Sequence, residues 1–169
     1  MTAYYSTTAT HIGPFTAVVD DGDQVIAAGW TADVNALIAV VHPTLRPDTL
    51  RHSDSLGAVT SAVTAYHDGD VQAIDGIPVR QRSGEFLEHA WGVLRKVPAG
   101  EPITYTQFAD LAGRPAAVRA AASACARNAA ALFVPCHRIV RTDGTLGGFR
   151  WGLPVKRQLL AHEAATTQP

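Results

Sequence analysis

The chain has 169 residues, of which 47% are hydrophobic and 17% charged, a composition that predicts a folded globular protein with one good core or two small domains. No apolar run approaches the roughly 18 residues of a membrane span, and the first residues lack the pattern of a signal peptide. We therefore expect a soluble, cytoplasmic protein without membrane association. In that compartment Cys125 and Cys136 are expected to be free thiols, and their spacing predicts no metal site.

The formal net charge of −1 is unevenly distributed. Residues 1–84 carry four Arg and nine Asp, a net −5, whereas residues 85–169 carry ten Lys or Arg and six Asp or Glu, a net +4. A basic carboxy-terminal half could bind the phosphate groups of a nucleic acid while the acidic half faces away from them. The same distribution also fits an ordinary solvated surface, so charge alone leaves nucleic-acid binding open.

The amino-terminal part is predicted to be a small α/β domain. Segments rich in Val, at 13–19 and 24–30, flank a DDGD turn and indicate a β-hairpin. Helical patterns follow at 32–41 and at 55–69. The chain then becomes polar near Arg82 to Gly84, which divides it into domains 1–83 and 84–169.

The carboxy-terminal domain is predicted to be mainly helical. Thr104 is a plausible N-cap of a short helix that stops at Gly113, and Pro115 is expected in the first turn of the next helix. Two short helices joined by a tight turn form a helix-turn-helix. Before them, a helix that ends at Pro98 and Gly100 has one apolar stripe, made of Phe86, Leu87, Ala90, Trp91 and Leu94.

The second helix of this pair has unusually small side chains. From Ala116 to Ala126 it contains only Ala, Ser and Cys apart from Val118 and Arg119. Small side chains allow close approach to another surface, either inside the core or in a nucleic-acid groove. An unpaired Arg119 is costly to bury, which favours the groove. Cys125, in the same helix, is expected to be an inert buried thiol.

Cys136 has a different setting, in the stretch ALFVPCHRIV. Pro135 interrupts a strand-like run, and His137 and Arg138 follow the cysteine, so we expect a thiol at a strand end with a lowered pKa. Adjacent residues of an extended chain point to opposite faces, so His137 needs a bridging water or a bend to take the thiol proton. Glu163 is a candidate to orient that histidine. These residues leave a cysteine hydrolase, a thiol redox protein and an alkyl acceptor open.

A family resemblance narrows these alternatives. VPCHRIV, preceded by GRPAAVRAAASACARN and followed by GTLGGFRWGLPVKRQLLAHE, resembles the methylated-DNA–protein-cysteine methyltransferases, or O6-alkylguanine-DNA alkyltransferases, and most of all the carboxy-terminal half of the Ada adaptive-response proteins. The likeness extends from about Phe86 to Glu163. It implies an amino-terminal α/β lobe with an RNase H-like small sheet, and a mainly α domain that contains a helix-turn-helix and the active-site cysteine. It implies no cofactor, and no counterpart of Ada's zinc module is expected.

The resemblance also implies direct-reversal DNA repair. An alkyl group, mainly methyl, would pass irreversibly from O6 of a flipped-out guanine, or from O4 of thymine, to Cys136 in a single turnover. His137 would act as the base through a water, and Glu163 would orient it. Tyr105 would protonate the leaving guanine and favour nucleotide rotation. Asn128 would hold the turn between the second helix of the helix-turn-helix and the active-site strand.

The implied partner is double-stranded DNA with an O6-alkylguanine, bound through its minor groove by a monomer. Arg119 would occupy the gap that the extruded base leaves. Trp151 stands where many relatives carry glycine, so we expect a narrow pocket that takes methyl well and benzyl poorly. The other implied DNA contacts are Tyr105, Ala120, Arg127 and Arg138, and the implied guanine pocket consists of Pro135, Ile139, Phe149, Arg150 and Trp151.

Three alternatives remain beside the hypothesis of direct-reversal DNA repair. A non-enzymatic, alkyltransferase-like lesion-binding protein would lack the acceptor cysteine, whereas Cys136 is present. A helix-turn-helix regulator would normally carry base-reading polar side chains on its second helix, which here offers chiefly Arg119 and Arg127. A cysteine hydrolase would be distinguished by repeated turnover.

Overall fold

The computed structural model describes residues 1–167, which divide into two compact units. The first consists of Met1–Arg82 and Ala129–Phe133, and the second of Ser83–Asn128 and the chain from Val134 onward. The division into domains 1–83 and 84–169 stays a prediction. No helix within residues 1–167 is long and apolar enough to cross a bilayer.

The first unit is built on a four-stranded sheet with the order β3-β2-β1-β4. Strands β1 (Thr2–Thr10), β2 (Gly13–Val19) and β3 (Val25–Gly29) are antiparallel neighbours, and β4 (Thr49–His52) pairs with β1 in parallel. The predicted hairpin of β2 and β3 is confirmed. Strands β1 and β4 were not predicted.

Two helices accompany this sheet. Helix α1 (Val34–Ile38) is shorter than the predicted 32–41, because a turn follows it and the chain then enters a 3-10 helix at Pro43–Leu45. Helix α2 (Ala58–His67) lies within the predicted segment 55–69 and contacts β1. The largest buried side chains of this unit include Phe15, Ile26, Trp30, Leu37, Tyr66, Ile74 and Phe133.

The second unit is mainly helical, as predicted. The Trp91 indole N–H donates to the Ala124 carbonyl at 2.8 Å, which joins the first helix of this unit to the third. Two very short strands pair in parallel. The elements are α3 (Glu85–Leu94), β5 (Ile103–Thr104), α4 (Tyr105–Leu111), α5 (Val118–Ala126), β6 (Ile139–Val140) and α6 (Leu153–Thr167).

Helices α4 and α5 form the predicted helix-turn-helix. Thr104 is the N-cap of α4, and its hydroxyl accepts the N–H of Gln107 in a capping box, which confirms that prediction. The prediction for Pro115 is wrong, because α5 begins only at Val118 and residue 115 lies in the preceding turn. The Arg114 guanidinium stacks on the Phe86 ring at 4.7 Å and so ties this turn to α3.

Candidate active site

Cys136 was predicted to lie at the end of a strand, and this prediction is wrong. Residues 131–134 form turns in which Leu132 has a φ of 74°, so no extended run leads to the thiol. Cys136–Arg138 form a 3-10 helix that continues into β6. The thiol is buried, with the residue 8% exposed. The chain therefore bends at the motif, but the bend does not bring Nδ1 of His137 into a hydrogen bond with the thiol.

His137 is completely buried and oriented by Glu163. Its Nε2–H donates to Oε2 of Glu163 at 2.8 Å, which leaves Nδ1 as the acceptor of the ring. Among the buried side-chain N and O atoms of residues 1–167, Nδ1 is the one without a hydrogen-bond partner. Burial lowers the pKa of His137, although the Glu163 carboxylate opposes this effect. A neutral imidazole with a free lone pair is the form required of a general base.

Arg138 belongs to the same buried cluster. Its Nε and Nη2 donate to Oε1 and Oε2 of Glu163, both at 2.9 Å, and its Nη1 donates to the Val97 carbonyl at 2.7 Å. Arg138 was predicted to contact DNA; that prediction is wrong, because the side chain is buried and its guanidinium is used inside the unit. Burial alone would raise the pKa of Glu163, but His137 and Arg138 hold it well below its usual range.

The electrostatics of the thiol also differ from the prediction. Burial raises the pKa of Cys136 instead of lowering it. A hydrogen bond from the Asn128 side chain and the positive charges of Lys156 and Arg150 oppose this rise but do not overcome it. Cys136 is therefore a protonated thiol at neutral pH, and it needs a base to become a nucleophile.

Lys156 is a functional candidate that the sequence reasoning missed. Its fully buried ammonium group donates to three carbonyls: Ile139 at 2.7 Å, Leu146, and Gly148 at 3.4 Å. These carbonyls join β6 to the loop 141–152, which holds three of the predicted pocket residues. The sequence signal was the spacing of seven residues between Lys156 and Glu163, which places both on one face of α6.

The loop 141–152 is also tied to the helix-turn-helix. Nη2 of Arg150 donates to the Ala126 carbonyl, at the end of α5, at 2.6 Å. A Cβ on Gly147 would lie 3.0 Å from the Tyr105 hydroxyl, so the loop backbone packs directly against that side chain. Of the predicted pocket residues, Pro135 and Ile139 are buried, Phe149 and Trp151 are half-buried, and Arg150 is exposed.

Tyr105 and Asn128 lie near the thiol in different roles. Burial, with smaller contributions from Cys125 and Cys136, raises the pKa of Tyr105 to about 12, so its hydroxyl stays protonated. Nδ2 of Asn128 donates to the Val134 carbonyl at 2.7 Å and so joins the two ends of segment 129–133. Their catalytic roles stay predictions.

Helix α5 has one buried and one exposed face, so core packing is observed on the first, and groove binding by the second stays a prediction. Ala121 and Ala124 are fully buried, whereas Arg119 and Arg127 are exposed and Ala120 is partly exposed. The small residues therefore serve the core on one face and leave the two arginines on another. Cys125 in this helix is a free thiol, and desolvation by the surrounding protein raises its pKa well above the usual value. Within residues 1–167, no group of three or more His, Cys, Asp or Glu is placed to hold a metal ion.

Comparison with known proteins agrees with this geometry. Residues 85–165 match the family model described as the DNA-binding domain of 6-O-methylguanine DNA methyltransferase. The bifunctional transcriptional activator and DNA repair enzyme Ada of Escherichia coli is 51% identical over 88 residues, which are 52% of this chain and 25% of Ada. The methylated-DNA–protein-cysteine methyltransferase of Shigella flexneri is 29% identical over 157 residues, 92% of each chain.

Solved structures extend the match to the whole fold. The O6-methylguanine methyltransferase of Mycobacterium tuberculosis superposes with a TM-score of 0.79 at 25% identity, covering 98% of this chain and 95% of that one. A crystal structure of an M. tuberculosis relative in complex with DNA superposes with a TM-score of 0.77 at 25% identity, over 96% of this chain and 94% of that one. Residues 85–165 thus belong to the DNA-binding-domain family of 6-O-methylguanine DNA methyltransferase, and the chain as a whole is similar in fold and sequence to methylated-DNA–protein-cysteine methyltransferases.

Proposed function

We propose that this chain repairs alkylated DNA by direct reversal. It transfers the alkyl group from O6 of guanine, chiefly a methyl group, and also from O4 of methylthymine, to Sγ of Cys136. The observation that carries the proposal is the buried Cys136 thiol, protonated at rest, next in the chain to His137, whose Nδ1 lacks a partner and whose Nε2–H is held by Glu163. The similarity to methylated-DNA–protein-cysteine methyltransferases supplies the substrate class.

The reaction is a displacement at the alkyl carbon. A water bound to Nδ1 of His137 relays the Sγ–H proton to that nitrogen, and the sulfur lone pair forms the new S–C bond. The C–O6 bond breaks, and its electron pair stays with the purine. The Tyr105 hydroxyl donates a proton to the purine ring, and the imidazolium proton returns through water to the tyrosinate. The products are guanine and S-alkylcysteine, with no net change in protons.

DNA binding is assigned to α5 and its flanks. The exposed Arg119 and Arg127 supply positive charge, and the small side chains of α5 allow its backbone to approach the minor groove. The target base must leave the stack to reach a buried thiol, at a cost of a few kcal/mol. Arg119 fills the space that the base leaves. A relative of the same fold has been solved in complex with DNA, which supports DNA as the partner. The protein acts as a monomer.

Each molecule acts once. A thiolate is a poor leaving group from the carbon of a thioether, so S-alkylcysteine is not expected to return to a thiol. Cys136 is thus consumed, and the protein behaves as a stoichiometric reagent.

A titration with excess substrate tests this function. The protein is mixed with several equivalents of a duplex that contains O6-methylguanine, and repaired DNA is counted alongside DNA binding. We expect repair to stop at one equivalent, and Cys136→Ser to bind the duplex without repairing it. Continued product formation would indicate a hydrolase. Binding by the unaltered chain without any repair would indicate a lesion-binding protein.

A further inference from the structure

One buried carboxylate is shared by two basic side chains. Oε2 of Glu163 accepts from both Nε2 of His137 at 2.8 Å and Nη2 of Arg138 at 2.9 Å, and Oε1 accepts from Nε of Arg138 at 2.9 Å. All three residues are at most 2% exposed. The cluster therefore contains one fixed cation, one anion and one imidazole that is uncharged at rest.

Resting on the function proposed above, we propose that Arg138 is a positioning residue that keeps Nδ1 of His137 free of a proton at neutral pH, so that Nδ1 can accept the proton of Cys136. Arg138 already neutralises the Glu163 carboxylate through a two-point contact. An unpaired carboxylate in the same place would be expensive to bury, and the protein would lower that cost by binding a proton.

The extra proton would block the base if it resides on the His137 ring, and this is its expected place because an imidazole is ordinarily more basic than a carboxylate. A proton on Oε1 of Glu163 would leave Nδ1 free. Nε2 of His137 already carries a hydrogen toward Glu163, so an added proton makes an imidazolium with Nδ1 protonated. If the Nε2 hydrogen instead moves to the carboxylate, the neutral ring keeps its hydrogen on Nδ1. The pair titrates as a unit, and both forms with a hydrogen on Nδ1 remove the acceptor.

The other charged groups around His137 do not replace Arg138. Cys136 lies in the same 3-10 helix and is a neutral thiol at rest, and α6 supplies Glu163 and Lys156. Glu163 favours the imidazolium, whereas Arg138 and Lys156 both disfavour it, and burial lowers the pKa of His137 further. Lys156 is bonded to backbone carbonyls, so Arg138 is the cation in direct contact with the carboxylate.

The test combines a spectroscopic and a kinetic measurement on the full chain. Protein with 15N-labelled histidine is compared as wild type, Arg138→Met, Arg138→Lys and the control Arg157→Met, an exposed residue of α6. The ring nitrogens of His137, assigned by their loss in His137→Gln, are followed by NMR from about pH 5 to about pH 9. Methyl transfer from an O6-methylguanine duplex is measured over the same range.

We expect Nδ1 of the wild type, of Arg138→Lys and of Arg157→Met to be unprotonated at neutral pH, and Nδ1 of Arg138→Met to be protonated. The transfer rate constant of Arg138→Met should fall at least about tenfold at neutral pH, the effect of one unit of pKa, and recover as the pH rises. Arg138→Lys keeps the charge but loses the two-point contact, so its rate should lie between the two.

Three outcomes would overturn the proposal. The first is a protonated Nδ1 in the wild type at neutral pH, which needs no variant to fold. The second is an unprotonated Nδ1 in Arg138→Met, and the third is a loss of rate in that variant that is equal at every pH, as a purely structural role would give. If the wild type transfers no methyl group, the proposed function fails, whereas the NMR result still decides the role of Arg138.

Discussion

The two units of this chain use buried polar groups in different ways. In the first unit they satisfy nearby backbone: Oδ1 of Asp20 accepts the N–H groups of Gly22 and Gln24, and Thr16 donates to the Thr31 carbonyl. In the second unit the buried polar residues lie in the Cys136 motif, contact its side chains, or contact the backbone on either side of it; they are Asn128, His137, Arg138, Lys156 and Glu163. Buried ionic groups seldom add stability, so their concentration around one thiol points to chemistry.

Among the variants of the buried polar cluster in the second unit, Glu163→Gln should have the largest effect on stability and on methyl transfer. It removes the anion between His137 and Arg138 and leaves a buried guanidinium without its counter-charge, so the free energy of unfolding should fall by about 3–5 kcal/mol. Methyl transfer should slow at least about 100-fold, because the base loses its orientation. Denaturant unfolding and single-turnover kinetics measure both effects, with the exposed Glu101→Gln as control. A wild-type rate in Glu163→Gln would refute the relay.

The next largest effect is expected when the transfer rate constant of the unaltered protein is measured as a function of pH. The pKa of His137 is lowered from its usual 6.5, so the base is neutral at neutral pH and gains a proton only in acid. We expect a transfer rate constant that is flat from about pH 7 to about pH 9 and falls about tenfold per pH unit below the pKa of His137. A rate that instead rises tenfold per unit in alkali would show that Cys136 reacts as a thiolate formed by solvent, without the relay.

Lys156→Met should weaken lesion binding more than it slows the chemical step. The change removes a donor shared by three carbonyls and so frees the loop 141–152 from β6. The concentration of lesion-containing duplex that gives the half-maximal rate should rise about tenfold, the effect of one lost hydrogen bond to a charged group. Arg157→Met, at an exposed neighbouring position, is the matched control. If both variants need the same duplex concentration for the half-maximal rate, Lys156 has no part in lesion binding.

Trp151 tests the width of the pocket. The unaltered chain should react well with O6-methylguanine and poorly with O6-benzylguanine in the same duplex, because the indole of Trp151, which is half-buried, is predicted to narrow the guanine pocket. Trp151→Gly should raise the benzyl rate by roughly tenfold and leave the methyl rate almost unchanged. Equal methyl and benzyl rates in the unaltered chain would contradict this interpretation.

The smallest effect on activity is expected in the first unit. Asp20→Asn replaces a buried carboxylate that accepts two backbone N–H groups and pairs with Arg80 at 3.5 Å. The free energy of unfolding should fall by about 1–2 kcal/mol, while the transfer rate constant of the folded protein stays unchanged. A slower transfer step in the folded variant would show that the first unit takes part in the chemistry.

Local signals predicted much of the second unit and less of the first. The capping box at Thr104 and the apolar pattern of α3 are written in neighbouring residues, so these helices could be placed from sequence. Strand β1 reads TAYYSTTAT and lacks alternating large apolar residues, and three of the four residues of β4 are exposed. These strands exist because of their partners across the sheet, which a local pattern does not contain.

In the functional site, too, some features could be predicted from the sequence and others could not. The pairing of His137 with Glu163 followed from chemistry, since a catalytic histidine needs an orienting acceptor. The burial of Arg138 and Lys156 did not follow, because such side chains are usually exposed and only the folded chain shows what surrounds them. The turn at Leu132 likewise moved Cys136 out of the expected strand end and into a buried 3-10 helix, which reversed the predicted change of its pKa.

The most direct measurement is to locate the transferred group. The protein is reacted with a duplex that carries isotopically labelled O6-methylguanine, digested, and analysed by peptide mass spectrometry, together with Cys136→Ala and Cys125→Ala. The second unit holds both cysteines, and only Cys136 adjoins a histidine that can act as its base. We predict one label per molecule, on Cys136, retained in Cys125→Ala and abolished in Cys136→Ala. Label on Cys125, or repaired DNA with no label on the protein, would contradict the assignment of Cys136 as the alkyl acceptor.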